Sequence, residues 1–171
     1  MRSPIAIQPR IEKLAAGHDL TGFDCGADGL NRFLKQFALV NQKAGSSQTY
    51  LALVGSEVVG YYSLTAGNVL YDDAPKRLTK GLPRHPVPVI LLARLAIHKD
   101  WQRQRLGQGL LLDALRRTLQ AADIAGVRAL LVRAKDDTAK AFYEHFGFEP
   151  YTTESPTLYR LLKDVRSMLE G

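Results

Sequence analysis

Between Leu91 and Leu115 the chain reads LLARLAIHKDWQRQRLGQGLLLDAL, an apolar run that breaks into a glutamine, arginine and glycine turn and resumes as a leucine-rich segment of helical spacing. A strand that turns at once into a helix has few ways to fold. The strand needs sheet neighbours, and the helix must lie back over a sheet to bury its leucines. Such a turn also aims bare backbone amides out of the positive end of a helix dipole, where hydrogen bonds and field hold an anion together. Phosphate is the ligand this corner predicts.

The rest of the chain alternates between the two periodicities. Ile11–Leu14 reads as a short first strand, and Leu30, Phe33, Leu34, Phe37 and Ala38 recur at helical spacing behind Asp28, an expected N-cap, with Gly45 ending the helix. Thr49–Val54 and Val58–Ala66 form a hairpin across Gly55–Glu57. Val87–Ile97 is a long strand, Leu106–Ala122 an amphipathic helix, Val127–Val132 a buried strand, Thr138–His145 a short helix and Leu158–Leu162 a late strand. Asp164–Leu169 is too brief to assign. This order predicts an α/β fold with a mixed sheet flanked by helices and a parallel crossover from Val87–Ile97 to Val127–Val132. No repeat, linker or low-complexity tract interrupts it, so residues 1–171 are expected to form one domain.

Composition narrows the classes. A chain of 171 residues, 46% of them apolar, can stabilise one core without staples, and its single cysteine, Cys25, excludes an internal disulfide. The opening MRSPIAIQPR lacks the apolar stretch of a signal peptide, and Val87–Ile97 is far shorter than the roughly 20 residues that span a bilayer, so a cytoplasmic protein is expected. Twenty-three basic against 17 acidic residues give a net charge of +6, which favours anionic partners without naming one. Lys76, Arg77, Lys80, Arg84 and His85 cluster in a helical turn plus loop broken by Gly81, Pro83 and Pro86, a surface that could grip a phosphate backbone. His18, His85, His98 and His145 are scattered, and no metal-ligand spacing, paired-carboxylate motif or Cys/His constellation appears, so no metal is expected.

The second informative stretch is Ala141–Phe148, AFYEHFGF. Its phenylalanines, and Tyr143 with them, would ordinarily be core. Together with FDCG, LNRFL, ARLAI and LLLDAL, however, it resembles the GNAT (Gcn5-related) N-acetyltransferases, and among them the acetyltransferase toxins of bacterial type II toxin/antitoxin modules. The resemblance covers nearly the whole chain. It implies a GNAT-type domain whose mostly antiparallel central sheet splays at an acetyl-CoA site. The implied activity is acetylation of the α-amino group of aminoacyl-tRNA, which blocks translation and is neutralised by a ribbon-helix-helix antitoxin.

Residue by residue, the family's pyrophosphate pattern falls on Gln102, Arg103, Gln104, Arg105, Leu106 and Gly107, counted from the strand end at Ile97, with Arg105 where the first glycine usually stands. A literal match at Gln104, Gly107 and Gly109 would push the loop into the helix, so the first frame is preferred. The resemblance also implies that backbone amides near Leu95, Ala96 and Ile97 hold the acetyl carbonyl and that Asp136 stands where many relatives place a cofactor-contacting asparagine. Tyr143 would protonate the departing thiolate. A phenol of pKa about 10 keeps its proton at neutral pH. No general base is evident. An α-amine of pKa about 7.7–8.0 is neutral in roughly one molecule in eight at pH 7, against about one in 2,500 for lysine, so an α-amine acceptor needs less help. Arg32, Lys35, Lys76, Arg77, Lys80 and Arg84 are the expected tRNA contacts. The family further implies a homodimer and operator DNA reached through the antitoxin complex. The competing readings are acetylation of a small amine or protein N-terminus, and an antitoxin-dependent DNA-binding co-repressor with vestigial catalysis.

Overall fold

The computed structural model describes residues 8–170. Its strands are β1 (Arg10–Lys13), β2 (Gln48–Val54), β3 (Glu57–Val69), β4 (Val87–Ile97), β5 (Ala129–Arg133), β6 (Glu149–Pro150) and β7 (Thr157–Leu161), in one mixed sheet of order β1-β2-β3-β4-β5-β7-β6. The helices are α1 (Asp28–Arg32), α2 (Ala38–Lys43), α3 (Lys76–Thr79), α4 (Leu106–Ala125), α5 (Asp137–His145) and α6 (Leu162–Glu170). The expected crossover is present: β4 and β5 are parallel, in register from Val89 opposite Ala129 to Leu92 opposite Val132. The β1/β2, β5/β7 and β6/β7 pairs are antiparallel. The chain clusters into two compact units, one comprising residues up to Ser63 with Arg94–Leu111, the other Leu64–Ala93 with the residues from Leu112 onward.

The first unit packs Leu14, Phe23, Phe33, Leu34, Leu51, Leu53 and Tyr61 into one apolar cluster. The Tyr61 hydroxyl donates to the Leu30 carbonyl at 2.7 Å, and burial raises its pKa. The helix after Asp28 departs from expectation twice. Asp28 is its first residue rather than its cap; Ala27 caps it, with no side-chain hydrogen bond. Between α1 and α2, Phe33–Phe37 forms a π-turn, whose wider pitch shifts the register of the apolar stripe. Phe33, Leu34 and Ala38 stay buried while Phe37 is left 48% exposed.

In the second unit Leu78, Val87, Val89, Ala129, Leu131, Tyr159 and Leu161 share a core. The apolar stripe of α4, predicted at Leu110, Leu111, Ala114, Leu115, Thr118 and Leu119, begins in the first unit and is buried except at half-buried Leu119, and the Thr118 hydroxyl bonds back to the Ala114 carbonyl at 2.8 Å. The unassigned C-terminal piece is α6. It buries Leu162 and Val165, and Arg166 reaches Asp123 of α4 at 2.8 Å.

Gly60 of β3 shows how closely the first unit is packed. A Cβ there would lie 2.9 Å from the Ile97 side chain and 3.1 Å from the Ala96 carbonyl oxygen. A side-chain tip can move, but a strand carbonyl cannot. Gly60→Val is therefore expected to cost on the order of 1–3 kcal/mol in denaturant unfolding, and a variant as stable as the parent would contradict this packing.

Candidate active site

In the first unit β4 ends at Ile97, a short 3-10 turn spans Lys99–Trp101, and α4 begins at Leu106. The Gln102 side chain ties the loop down, its amide donating to the carbonyls of Ile97 at 3.0 Å and Cys25 at 3.2 Å. Next to it, Arg103 and Arg105 are the only non-glycine residues at positive φ among those described, at 65° and 63°. Both occupy the left-handed region that glycine enters freely, at about 1–2 kcal/mol for a residue with a Cβ. Arg105 therefore takes the glycine conformation without the glycine. The literal alternative would put Gly107 and Gly109 inside the first turn of α4, which begins at Leu106.

The two main helix starts are built differently. At α5 the Asp136 carboxylate accepts from the Ala139 amide at 2.8 Å, a normal N-cap. At α4 the residue in that place is Arg105, whose guanidinium has donors and no acceptor. The Gly109 amide reaches the Arg105 carbonyl at 3.2 Å. The amides of Leu106, Gly107 and Gln108 have no carbonyl a turn behind them, as at any helix start, and no acceptor in the capping side chain. Three donors and the dipole thus face one spot suited to an anion, with two exposed arginines in the adjoining loop.

The FDCG and LNRFL segments form a scaffold beneath this loop. The Asp24 carboxylate accepts from the Gly26 amide and the Asn31 side chain, both at 2.9 Å, and pairs with Lys99 at 3.2 Å. These bonds, the Gly26 amide foremost, hold its pKa down at about 2. The Asp24 carbonyl also receives the Lys99 amide at 2.8 Å. His98 is part of the same scaffold: it is buried, its Nδ1 accepts from the Asp100 amide, and its Nε2 contacts the Gly22 carbonyl at 3.1 Å.

β4 continues to Ile97 although its ladder with β5 ends at Leu92 opposite Val132. Leu95, Ala96 and Ile97 lie on this continuation. In the second unit, where the two strands part, an open cavity of about 470 Å³ is lined by Leu91–Ala93, Leu131–Arg133, Asp73 and Tyr151 among others. Burial, and then the Asp73 carboxylate, push the Tyr151 phenol up. The sequence predicts a sheet that splays between these strands but not the lining residues Asp73 and Tyr151, which come from short stretches that carry no motif.

Tyr143 lies in α5, 7% exposed, with edge-on ring contacts to Phe142 and Phe148 at 5.2 and 5.5 Å. Burial alone pushes its phenol up to about 12. Asp136 sits at the start of the same helix, and the oxygen it could offer a ligand is in part spent on the cap. His145 is exposed against Phe146.

The six expected tRNA cations are all exposed, but they are not equivalent. Lys35 donates to the Thr21 carbonyl at 3.3 Å, and Arg32 lies in α1. Arg84 lies 3.7 Å from Asp72 and over the Tyr71 ring. Arg77 is held by Glu149 and Asp164, which raise its pKa, so it is less available to a phosphate than its charge implies. Lys76 and Lys80 complete the set.

Residues 45–150 match the acetyltransferase (GNAT) domain family. The chain is 42% identical over 157 residues to a tRNA-acetylating toxin of Mycobacterium tuberculosis (strain ATCC 25618 / H37Rv), covering 92% of this chain and 94% of that one. The structure of AtaT complexed with acetyl-methionyl-tRNAfMet superposes with a TM-score of 0.87 at 29% identity, over 94% of this chain and 98% of that one. A mutant AtaT toxin bound to the C-terminus of the antitoxin AtaR and acetyl-CoA gives a TM-score of 0.79 at 28% identity, over 95% and 98%.

The strain at Arg105 has a measurable consequence. Arg105→Gly should raise the thermal midpoint by a few degrees, because relief of about 1 kcal/mol of backbone strain outweighs the added freedom of the unfolded glycine. A lower midpoint would mean that the side chain stabilises the loop by more than its backbone costs.

Proposed function

Since the chain belongs to the GNAT acetyltransferase family and is an acetyl-CoA-dependent acetyltransferase, we propose that it transfers the acetyl group to the α-amine of an aminoacyl-tRNA. An acetylated amine cannot form the next peptide bond, so translation stops. The observation that carries this reading is the likeness to a tRNA-acetylating toxin, which runs through both the turn at Arg105 and the helix of Tyr143. Under it the amides of Leu106, Gly107 and Gln108 hold the pyrophosphate, with Gln102 fixing the loop and Arg103, Gln104 and Arg105 beside it. Amides near Leu95, Ala96 and Ile97 polarise the thioester carbonyl, and Asp136 secures the helix that carries Tyr143. Tyr143 donates to the sulfur as the carbon–sulfur bond breaks and the amine nitrogen takes the acetyl carbon.

The cavity where β4 and β5 part fits the aminoacyl end of the acceptor, and the exposed cations of α1 and α3 fit its phosphates. The same reading makes residues 1–171 one catalytic domain working in the cytoplasm as a homodimer. A ribbon-helix-helix antitoxin would neutralise it and bring it to operator DNA. Among the described residues no helix is long and apolar enough to cross a membrane.

Purified protein, labelled acetyl-CoA and charged tRNA should yield acetyl-aminoacyl-tRNA; the absence of that product sinks the proposal. Tyr143→Phe should keep acetyl-CoA affinity and lose turnover by on the order of 10²-fold, the lower end for a positioned proton donor. The working form of Tyr143 is protonated and its pKa is about 12. The rate should therefore rise as the acceptor amine deprotonates near about pH 8 and show no falling limb from this residue below about pH 10. A decline between those values that disappears in Tyr143→Phe would show the phenol losing its proton well below about 12 and overturn the burial argument, whereas unchanged turnover in Tyr143→Phe would exclude it as the donor.

A further inference from the structure

Two arginines of the second unit are committed before any phosphate arrives. Arg77 of α3 donates through Nη1 to Glu149 of β6 and through Nη2 to Asp164 of α6 at 3.0 Å, so that one guanidinium bridges two carboxylates. Arg160 approaches the same Asp164 at 4.0 Å. Arg128 donates through Nε to the Leu78 carbonyl at 2.8 Å and through Nη2 to the carbonyls of Lys80 at 3.0 Å and Arg77 at 3.4 Å. Those are the last carbonyls of a helix only four residues long. A single turn cannot hold itself in water, because it fixes several dihedral angles for one or two hydrogen bonds. Buried Leu78 anchors α3 from below, Arg77 ties it sideways, and Arg128 satisfies its C-terminal end. Lys76 and Lys80, at its two ends, remain exposed.

From this network we infer that Arg77 and Arg128 are positioning residues of the tRNA-binding surface. They hold the α3 turn so that Lys76 and Lys80 meet phosphate, and contact no phosphate themselves. This rests on the tRNA reading above and assigns the work within it. The chemistry of the side chains supports the division: a planar guanidinium can bridge two fixed carboxylates, which a lysine cannot, whereas a lysine serves well as a point charge beside a phosphate.

The test is the affinity of the full-length protein for uncharged tRNA, measured across a salt series and accompanied by a thermal melt of each variant. Glu149→Gln with Asp164→Asn removes two negative charges, so attraction by net charge alone would tighten binding. Loss of positioning should instead weaken it several-fold, and the single Glu149→Gln should move it the same way. Arg77→Lys keeps the charge and loses the bridge, so it should bind as poorly as Arg77→Gln, with the parental salt slope in both. Lys76→Gln and Lys80→Gln should each reduce the log–log slope by about 1, the signature of one lost phosphate contact. Tighter binding by the carboxylate variants overturns the assignment, as does full activity of Arg77→Lys beside a reduced slope in Arg77→Gln. A parent protein that binds no tRNA would sink the tRNA reading and this one with it. A parent that binds and acetylates while the variants move in the opposite sense would sink the positioning role alone.

Discussion

The fold's chemistry depends on a helix start that is left without a side-chain cap. Most helices satisfy one of their first amides with a serine, threonine, aspartate or asparagine, worth about 1 kcal/mol. α5 does so with Asp136. α4 carries Arg105 instead, in a strained conformation, and its capping side chain offers the first amides no acceptor. The rest of the first unit holds that arrangement rigid: Gln102 pins the loop to Ile97 and Cys25, and Asp24 gathers Gly26, Asn31 and Lys99 beneath it. Two left-handed arginines persist only where anchors of this kind over-determine the backbone.

How much of this was legible in the sequence depends on how local each cause is. Val87–Ile97 matched its strand end to end, because a run that is apolar but for Pro88 and Arg94 and is bounded by Pro86 and His98 leaves little choice. The start of α4 at Leu106 and the parallel pairing with the strand after Gly126 followed from the same logic. The π-turn at Phe33–Phe37 was invisible: its residues fit an ordinary helical stripe, and only packing decides that Phe37 is pushed out. β6, two residues long, exists through its pairing with β7 and has no periodicity to read. α6 looked too short to assign, yet two buried residues in nine suffice once a neighbouring helix supplies Asp123 for Arg166.

The charges make the same point for function. Five basic residues within ten positions invite a single label, but their partners lie far along the chain, Glu149 and Asp164 being 72 and 87 residues from Arg77. Sequence spacing counts cations without showing which of them are already spent. FDCG is a similar case. It reads as a family marker, and its aspartate works as a structural knot under the loop between β4 and α4, kept ionised by hydrogen bonds that hold its pKa at about 2.

In the mechanism proposed above, Tyr143 has to act as an acid from an apolar setting. Burial that raises its pKa to about 12 makes it a weaker acid than free tyrosine. A thiol has a pKa of about 8.5, so complete transfer of the phenolic proton to a free thiolate would run uphill by about 3.5 units, or roughly 5 kcal/mol. Tyr143 is therefore best suited to donating a short hydrogen bond to a sulfur whose charge is still developing, with its own deficit made good at once. The attacking nitrogen becomes strongly acidic as it is acylated, and the reaction as a whole moves one proton from nitrogen to sulfur. A phenol whose anion is disfavoured by desolvation passes that proton along without lingering as phenolate. The apolar setting of Phe142 and Phe148 thus keeps the phenol in its protonated form, at the cost of a weaker acid.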